Sequence, residues 1–440
     1  MPRAANAPAL AALVLLTITA ASAPARGDGF DQQLAKAVTR EGLVRIARDR
    51  SPALSAGRMQ ASATRAMGEA RRRLPAPEAD LQVWQIPLAR PYDLPGAGMV
   101  MVSLKQPIPA PGSLGARAEV SEREADVETA MVAERELDLS REVGHAFVDY
   151  LEAHERHRVH LEHKDAADRI TAVAHARYAA GGSLTDATQA DVEAARIEAD
   201  IAQEQARVAS ARARINGLLL RDPAAALGPP ETGAPRSVAE PDADLIARAL
   251  AHRPEPRTAR ARTAQRQAES RASEREASWP MLAVGASYFA PTRDMPSHAW
   301  GLSVSTSLPW LWGRARAESK ASRAMAAATG HLTQDAEARV RTEVSTRAAD
   351  VRSGAARLRV LQHRALSSAR LSWEAAAAGY ESGRTDILML LSARKAMVEI
   401  EVDIVDAHAA IEHALVELQW AVGGNVRTAP VTGALAGSTP

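Results

Sequence analysis

Arg177-Tyr178-Ala179-Ala180-Gly181-Gly182-Ser183-Leu184-Thr185-Asp186 and Gly379-Tyr380-Glu381-Ser382-Gly383-Arg384-Thr385-Asp386-Ile387 are the two stretches that decide the fold. Each places a Tyr-x-x-Gly step between two long Ala-rich helical stretches, and the two steps stand roughly 200 residues apart. That period is far longer than the ~20–50 residues of a solenoid unit. It predicts two copies of one large helical hairpin, each with two strand-like segments upstream of its step. Glycine suits both steps, because it accepts the positive φ of a residue just past a helix end.

The helices flanking the steps carry coiled-coil spacing. Leu390, Ala393, Met397, Ile400, Ile404, Ala407, Ile411, Ala414 and Leu418 follow an alternating 3–4 step. A second stripe of Val398, Val402, Val405, Ala409 and Val416 runs beside it, interrupted at Glu412. A helix with two seams touches neighbours on both sides. Ala187, Ala190, Ala194, Ile197, Ile201, Glu204, Val208, Ala211, Ile215 and Leu218 repeat the spacing in the first copy, with one polar interruption. From Leu114 to Ala179 there is no Pro. A single helix there spans on the order of 100 Å at 1.5 Å per residue, several times a bilayer core.

Four segments alternate with period two: 81–86, 99–106, 282–289 and 299–308. In the last, Trp300, Leu302, Val304 and Leu308 share one face, opposite Gly301, Ser303, Ser305 and Ser307. Val100, Val102 and Leu104 form the apolar face of the second. Apolar residues toward lipid and small polar ones toward a lumen are the pattern of a transmembrane barrel strand. Trp84, Trp300, Trp310 and Trp312 suit the membrane interface. Four strands cannot close a barrel, and an open edge in lipid leaves unpaired backbone groups. The strands therefore predict an oligomer, of two copies or of three.

Residues 1–25 read as an export signal: Arg3, then the apolar run Leu10 to Ile18, then small residues ending at Ala25. No later stretch is apolar enough for a membrane helix. There is no Cys, hence no disulfide and no thiolate metal site. A net charge of +1 argues against a nucleic-acid partner. Aromatics are only 3%, too few for a sandwich or a single globular core. The organisation read from these signals is a first repeat over 26–221, a Pro/Gly-rich linker over 222–244, a second repeat over 245–422 and a flexible tail over 423–440.

The order and duplication of these features resemble the TolC-type outer-membrane efflux family over the whole mature chain. The likeness includes the openings Ser51-Pro52-Ala53-Leu54 and Arg253-Pro254-Glu255-Pro256. It also includes Gln106-Pro107-Ile108-Pro109 leading to Gly115-Ala116-Arg117-Ala118-Glu119, and the matching Leu308-Pro309 and Arg316-Ala317-Glu318. The resemblance implies a mainly α chain with a transmembrane β-barrel, and a homotrimer closing twelve strands above a periplasmic helical tunnel. It implies a Gram-negative outer-membrane location and a passive exit duct served by a periplasmic adaptor and an inner-membrane pump. The adaptor-docking tip would comprise Tyr178, Gly181, Gly182, Asp186, Tyr380, Gly383, Arg384 and Asp386. The rings of Asp that some relatives carry a few residues past the second Gly are replaced by Met389-Leu390-Leu391-Ser392. Asp186 and Asp386 are then tip carboxylates or helix N-caps. The Gln106 to Arg117 stretch leans to the heavy-metal efflux branch. The alternatives are multidrug or organic-compound efflux, a type I secretion channel or, in another class, a periplasmic coiled-coil structural or adaptor protein without a pore.

No nucleophile–base constellation, phosphate loop or zinc spacing is present, so neither an enzyme nor a cofactor is expected. His154, His157, His160 and His163 lie three apart on the first long helix. Each step turns about 60° away from a full turn, so the four cannot converge on one metal ion. A solvated, titrating helix face is the expectation for them.

Overall fold

The computed structural model describes Leu34, residues 36–86 and residues 88–431. The export signal expected at 1–25, and residues 432–440 of the tail, lie outside the described residues. The first repeat runs α1 (Arg40–Arg50), α2 (Pro52–Arg71), β1 (Glu78–Trp84), β2 (Met99–Ile108), α3 (Ser113–Ala179) and α4 (Leu184–Leu218). A short β3 (Arg236–Val238) precedes the second repeat. That repeat runs α5 (Asp242–His252), α6 (Pro254–Ser278), β4 (Leu282–Ala290), β5 (Ala299–Thr306), α7 (Arg314–Val360), a π-helical turn (Leu361–Ala365), α8 (Leu366–Glu381) and α9 (Ile387–Val422). A short β6 (Thr428–Pro430) follows.

The paired openings are helix corners. Ser51 ends α1 and caps α2, its Oγ accepting from the Leu54 N–H at 3.3 Å, and Pro52 sits where its missing N–H costs nothing. Arg253 holds the matching corner between α5 and α6 through ion pairs instead, to Glu343 at 2.6 Å and Glu255 at 2.7 Å. Its guanidinium also lies 4.3 Å from the Trp420 ring centroid. Two apolar cores anchor the corners to the long helices. Leu43, Ile46, Val143, Phe147, Tyr150 and Ile215 build the first. Leu245, Val340, Val344, Val351, Ile411 and Leu418 build the second.

The four long strands form one antiparallel sheet in the order β1-β2-β4-β5. The middle pairing joins the repeats, Val102 lying opposite Tyr288 and Leu104 opposite Ala286. The strand ends differ from the sequence expectation. β1 starts at Glu78 and ends at Trp84, because Gln85 turns to φ 57°. β5 stops at Thr306, so Leu308 lies beyond the strand, next to Pro309, which has no N–H for a ladder.

α3 is one helix of 67 residues, about 100 Å long by its rise. It pairs with α4 as the first hairpin, and α7, the π turn, α8 and α9 form the second. The alternating 3–4 positions form the seams: Ala187, Ala190, Ile197, Ile201, Ala211 and Ile215 are buried on α4, and Leu390, Ala393, Met397, Ala407, Ile411 and Leu418 on α9. Glu204, the polar interruption, is buried too, and pairs with Arg207 at 3.1 Å and Arg156 at 3.7 Å. Among the described residues no helix is long and apolar enough to cross a membrane.

The tail departs from the flexible segment expected at 423–440. Gly423 ends α9 at φ 80°, and β6 pairs antiparallel with β3 of the linker. Glu240 fixes this clasp by accepting from the Arg427 N–H and pairing with Arg248. Short polar segments order here because their backbone groups find partners in each other.

Candidate functional site: the two helical tips and the sheet face

Both Tyr-x-x-Gly steps fold as the same turn. After α3, Gly181 has φ 94°, its N–H donates to the Tyr178 carbonyl (2.9 Å), and the Gly182 N–H donates to the Arg177 carbonyl (2.9 Å). After α8, Gly383 has φ 73°, its N–H donates to the Tyr380 carbonyl (3.0 Å), and the Arg384 N–H donates to the Gly379 carbonyl (2.8 Å). A Cβ at Gly182 would lie 2.8 Å from the Arg177 carbonyl oxygen, whereas Gly181 and Gly383 face open space and need glycine only for φ.

The two aspartates differ. Asp386 is the N-cap of α9, its Oδ1 accepting from the Met389 N–H at 2.9 Å. Asp186 is not a cap: Ser183 caps α4, and Asp186 stands in the first turn, where a negative charge suits the helix N-terminus.

The tips are joined by Arg177, whose role no local sequence pattern reveals. Arg177 donates through Nη2 to the Tyr380 carbonyl at 2.6 Å and lies 4.0 Å from the centroid of its ring. Tyr380 is 3% exposed and packs with Ala174, Ala190, Ala376, Ile387 and Leu390, while Tyr178 is 45% exposed. Leu184, Leu388 and Met389 are exposed nearby in the chain. Further along α9 the buried Arg394 donates to the His163 carbonyl at 2.6 Å and faces Glu193 at 3.8 Å. Burial pushes its guanidinium below the ordinary arginine value, opposed by the Glu193 and Asp168 charges. One arginine beside an apolar run was the only sequence signal for it.

The four histidines of α3 do not form the solvated face expected of them. All are half-buried or buried, and they turn to different neighbours. The His154 ring meets Tyr150 edge-on at 4.5 Å, and burial, then the His157 charge, lowers its pKa. His157 is half-buried on the same helix. His160 lies 4.0 Å from Asp200 of α4, with burial the main cause of its lowered pKa. His163 meets Glu401 of α9 at 2.6 Å. Helices pack on both sides of α3, which is why a polar stripe there ends up between neighbours. Among the described residues no group of three or more His, Cys, Asp or Glu is arranged to hold a metal ion.

The register of the sheet aligns the alternation of all four strands. Leu81 and Val83 of β1, Val100, Val102 and Leu104 of β2, Val284, Ala286 and Tyr288 of β4, and Trp300, Leu302 and Val304 of β5 fall on one face. Asp80, Gln82, Ser103, Lys105, Ser287, Gly301, Ser303 and Ser305 fall on the other. Trp300, Leu302 and Val304 are each more than 70% exposed in the single chain. Trp84 shares the face of Gln82, to which its Nε1 donates at 3.1 Å, and so stands on the opposite side from Trp300.

Comparison with known proteins agrees with this architecture. The family model described as outer membrane efflux protein matches residues 43–219 and 245–424, one match per repeat. Among solved structures, the outer-membrane channel OprN is 21% identical with a TM-score of 0.70, over 88% of this chain and 90% of that one. VceC, an outer membrane protein of Vibrio cholerae, is 17% identical with a TM-score of 0.71, over 88% and 96%. CusC is 16% identical with a TM-score of 0.73, over 88% and 92%. No curated protein matches the chain. The duplicated hairpins, the shared sheet and the two family matches agree repeat by repeat, and the chain belongs to the outer membrane efflux protein family.

Proposed function

We propose that three copies of this outer-membrane efflux channel close a twelve-stranded barrel, β1 of one protomer pairing with β5 of the next. The observation that carries the reading is the apolar face running across four strands between two unpaired edges. In lipid each unpaired backbone group costs several kcal/mol, and closure by copies of one chain removes both edges at once. The long hairpins then stand in the periplasm as a tunnel, a passive exit duct for cargo passed on by an inner-membrane pump and a periplasmic adaptor. Tyr178, Gly181, Gly182, Asp186, Tyr380, Gly383, Arg384 and Asp386 form the docking tip, with exposed Leu184, Leu388 and Met389 as apolar anchors beside them. Heavy-metal cations are the proposed cargo, on the likeness of the Gln106 to Arg117 stretch.

Native mass measurement in mild detergent, followed by conductance in a planar bilayer, tests the channel. A monomer without conductance would sink it. For the tip, Arg384→Cys should cross-link to the adaptor and Arg207→Cys, about two-thirds of the way along α4 from the tip, should not; the chain has no native Cys to interfere. Cross-links at barrel loops alone would reverse the proposed orientation. Metal sensitivity without drug sensitivity in a deletion strain is the expected cargo phenotype, and the reverse would move the cargo to organic compounds.

A further inference from the structure

Near the middle of α3, two imidazoles from different repeats face each other. His145 on α3 and His413 on α9 meet edge to edge, with ring centroids 5.0 Å apart and an interplanar angle of 27°. Their Nδ1 atoms are 2.8 Å apart. The far nitrogens are engaged as well: His145 Nε2 lies 2.7 Å from Glu417 Oε1, and His413 Nε2 lies 3.3 Å from Asp149 Oδ1. An ionised carboxylate only accepts, so His145 Nε2 donates to Glu417, and the Asp149 charge in ion-pair contact with His413 Nε2 favours a hydrogen there rather than a bare lone pair. In a neutral imidazole the other nitrogen is then a bare lone pair, and here two lone pairs would meet at hydrogen-bond distance.

We infer that His145 and His413 hold one additional proton between their Nδ1 atoms, and that this shared proton is a pH-limited clamp joining the two repeats. Three hydrogens on four ring nitrogens turn an N–H toward each carboxylate and leave one hydrogen between the rings. The pair then carries one positive charge between two carboxylates. Both carboxylates are shared with arginines: Glu417 with Arg347 of α7 at 3.4 Å and Arg141 of α3 at 4.0 Å, and Asp149 with Arg214 of α4 at 2.7 Å. Glu152, one turn beyond Asp149 on α3, pairs with Arg156 at 3.3 Å, and Arg156 also pairs with Asp406 of α9 at 2.5 Å. His413 is the main cause holding the Asp149 carboxyl below its ordinary value, against the cost of burial, with the Arg214 and His145 charges adding to it.

The seam at this point is tight. A Cβ on Gly144 would meet Val416 Cγ1 at 2.9 Å, and Val148, Ala409 and Val416 form a small buried core beside the pair. The rings therefore have little freedom to part without moving a helix. Raising the pH removes the shared proton and leaves lone pair against lone pair. Lowering it adds a fourth hydrogen and sets N–H against N–H. At high pH one ring must turn or move its hydrogen from Nε2 to Nδ1, at low pH one ring must turn, and in either direction one carboxylate loses its N–H partner. A simple His–carboxylate pair behaves differently, tightening as the imidazole is protonated until the carboxylate itself titrates.

A Cβ built at Gly144 lies 3.6 Å from Val416 Cβ, inside the disulfide range of about 3.5–4.5 Å. The full chain carrying Gly144→Cys and Val416→Cys, equilibrated against dithiothreitol from pH 5 to 9, reports an effective thiol concentration for the seam. Dividing by the value with His413→Gln added cancels the ionisation of the thiols. The expected ratio peaks at intermediate pH, on the order of tenfold above both ends, as befits one charge-assisted hydrogen bond. A flat or monotonic ratio overturns the clamp. A peak abolished by EDTA also overturns it, since a metal ion would then hold the rings. The same profile can be read from thermal unfolding of the Cys-free chain against His145→Gln and His413→Gln. A difference that peaks at intermediate pH supports the shared proton there, and one that does not peak overturns it.

Discussion

The two tips share a backbone turn and differ in what their side chains do. Tyr178 is half exposed, while Tyr380, in the same position of the second copy, is buried under Arg177 of the first. The arms leading to them differ in the same spirit. α3 runs without a break from Gly112 to Gly181, whereas the arm from Gly313 to Gly383 is one residue longer and contains the π turn. Gly112 and Gly313 both cap their helices with positive φ, so the ends match and the extra residue is absorbed between them. A π turn takes in one residue without rotating everything beyond it. Duplication thus preserved local geometry, and packing assigned different work to the copies.

The largest expected effect is a test of the arms. Deleting His363 should turn the π segment into α-helix and leave oligomer yield near wild type. Deleting one residue at Glu162 in α3 should rotate the rest of the arm by about 100° and misplace Ala167 and Ala174, abolishing assembly. Equal yields from the two deletions would remove the reading of the π turn as an insertion site. At the tips, Tyr380→Ala should cost about 3–5 kcal/mol, seen as fast proteolysis near Gly383, and Tyr178→Ala less than about 1 kcal/mol. Matching proteolysis rates would mean that the tips are equivalent after all.

The sheet gives the next effect. Val304→Arg in the second repeat and Val102→Arg in the first should each cost ~2–4 kcal/mol of insertion, and Ser305→Arg much less. Outer-membrane yields that separate the two valines would break the shared face of the repeats. The smallest effect joins the repeats at His163. Its hydrogen bond is the main cause holding the Glu401 carboxyl below its ordinary value. Such a group adds stability above the unfolded carboxylate range of about 4, and loses it as pH falls through its folded value. Glu401→Gln should therefore flatten the acid side of the stability curve, measured by thermal unfolding. A curve unchanged by the substitution would leave the pair without energetic weight.

Much of this was legible in residue order because it depends on local rules. Period-two alternation needs no partner to be seen, nor does a 3–4 step, a Pro after a helix corner or a Gly where φ turns positive. Local rules mislead where partners decide. Leu308 read as strand because its parity fits, yet Pro309 stops the ladder. The tail read as flexible because its residues are small and polar, yet β6 finds β3 at the far end of the linker. The α3 histidines read as solvated because they form a polar stripe, yet α4 and α9 cover that stripe from two sides.

The sequence alone determined that there are two hairpins, where they turn, and that four amphipathic strands need company, since backbone preference and hydrophobic period act within a few residues of each other. Only the tertiary structure decided that Tyr380 rather than Tyr178 is buried, that Arg177 ties the tips, and that His145 meets His413 across the repeats. Those pairings join residues more than 200 positions apart, and no local period encodes which face of one helix will meet which face of another.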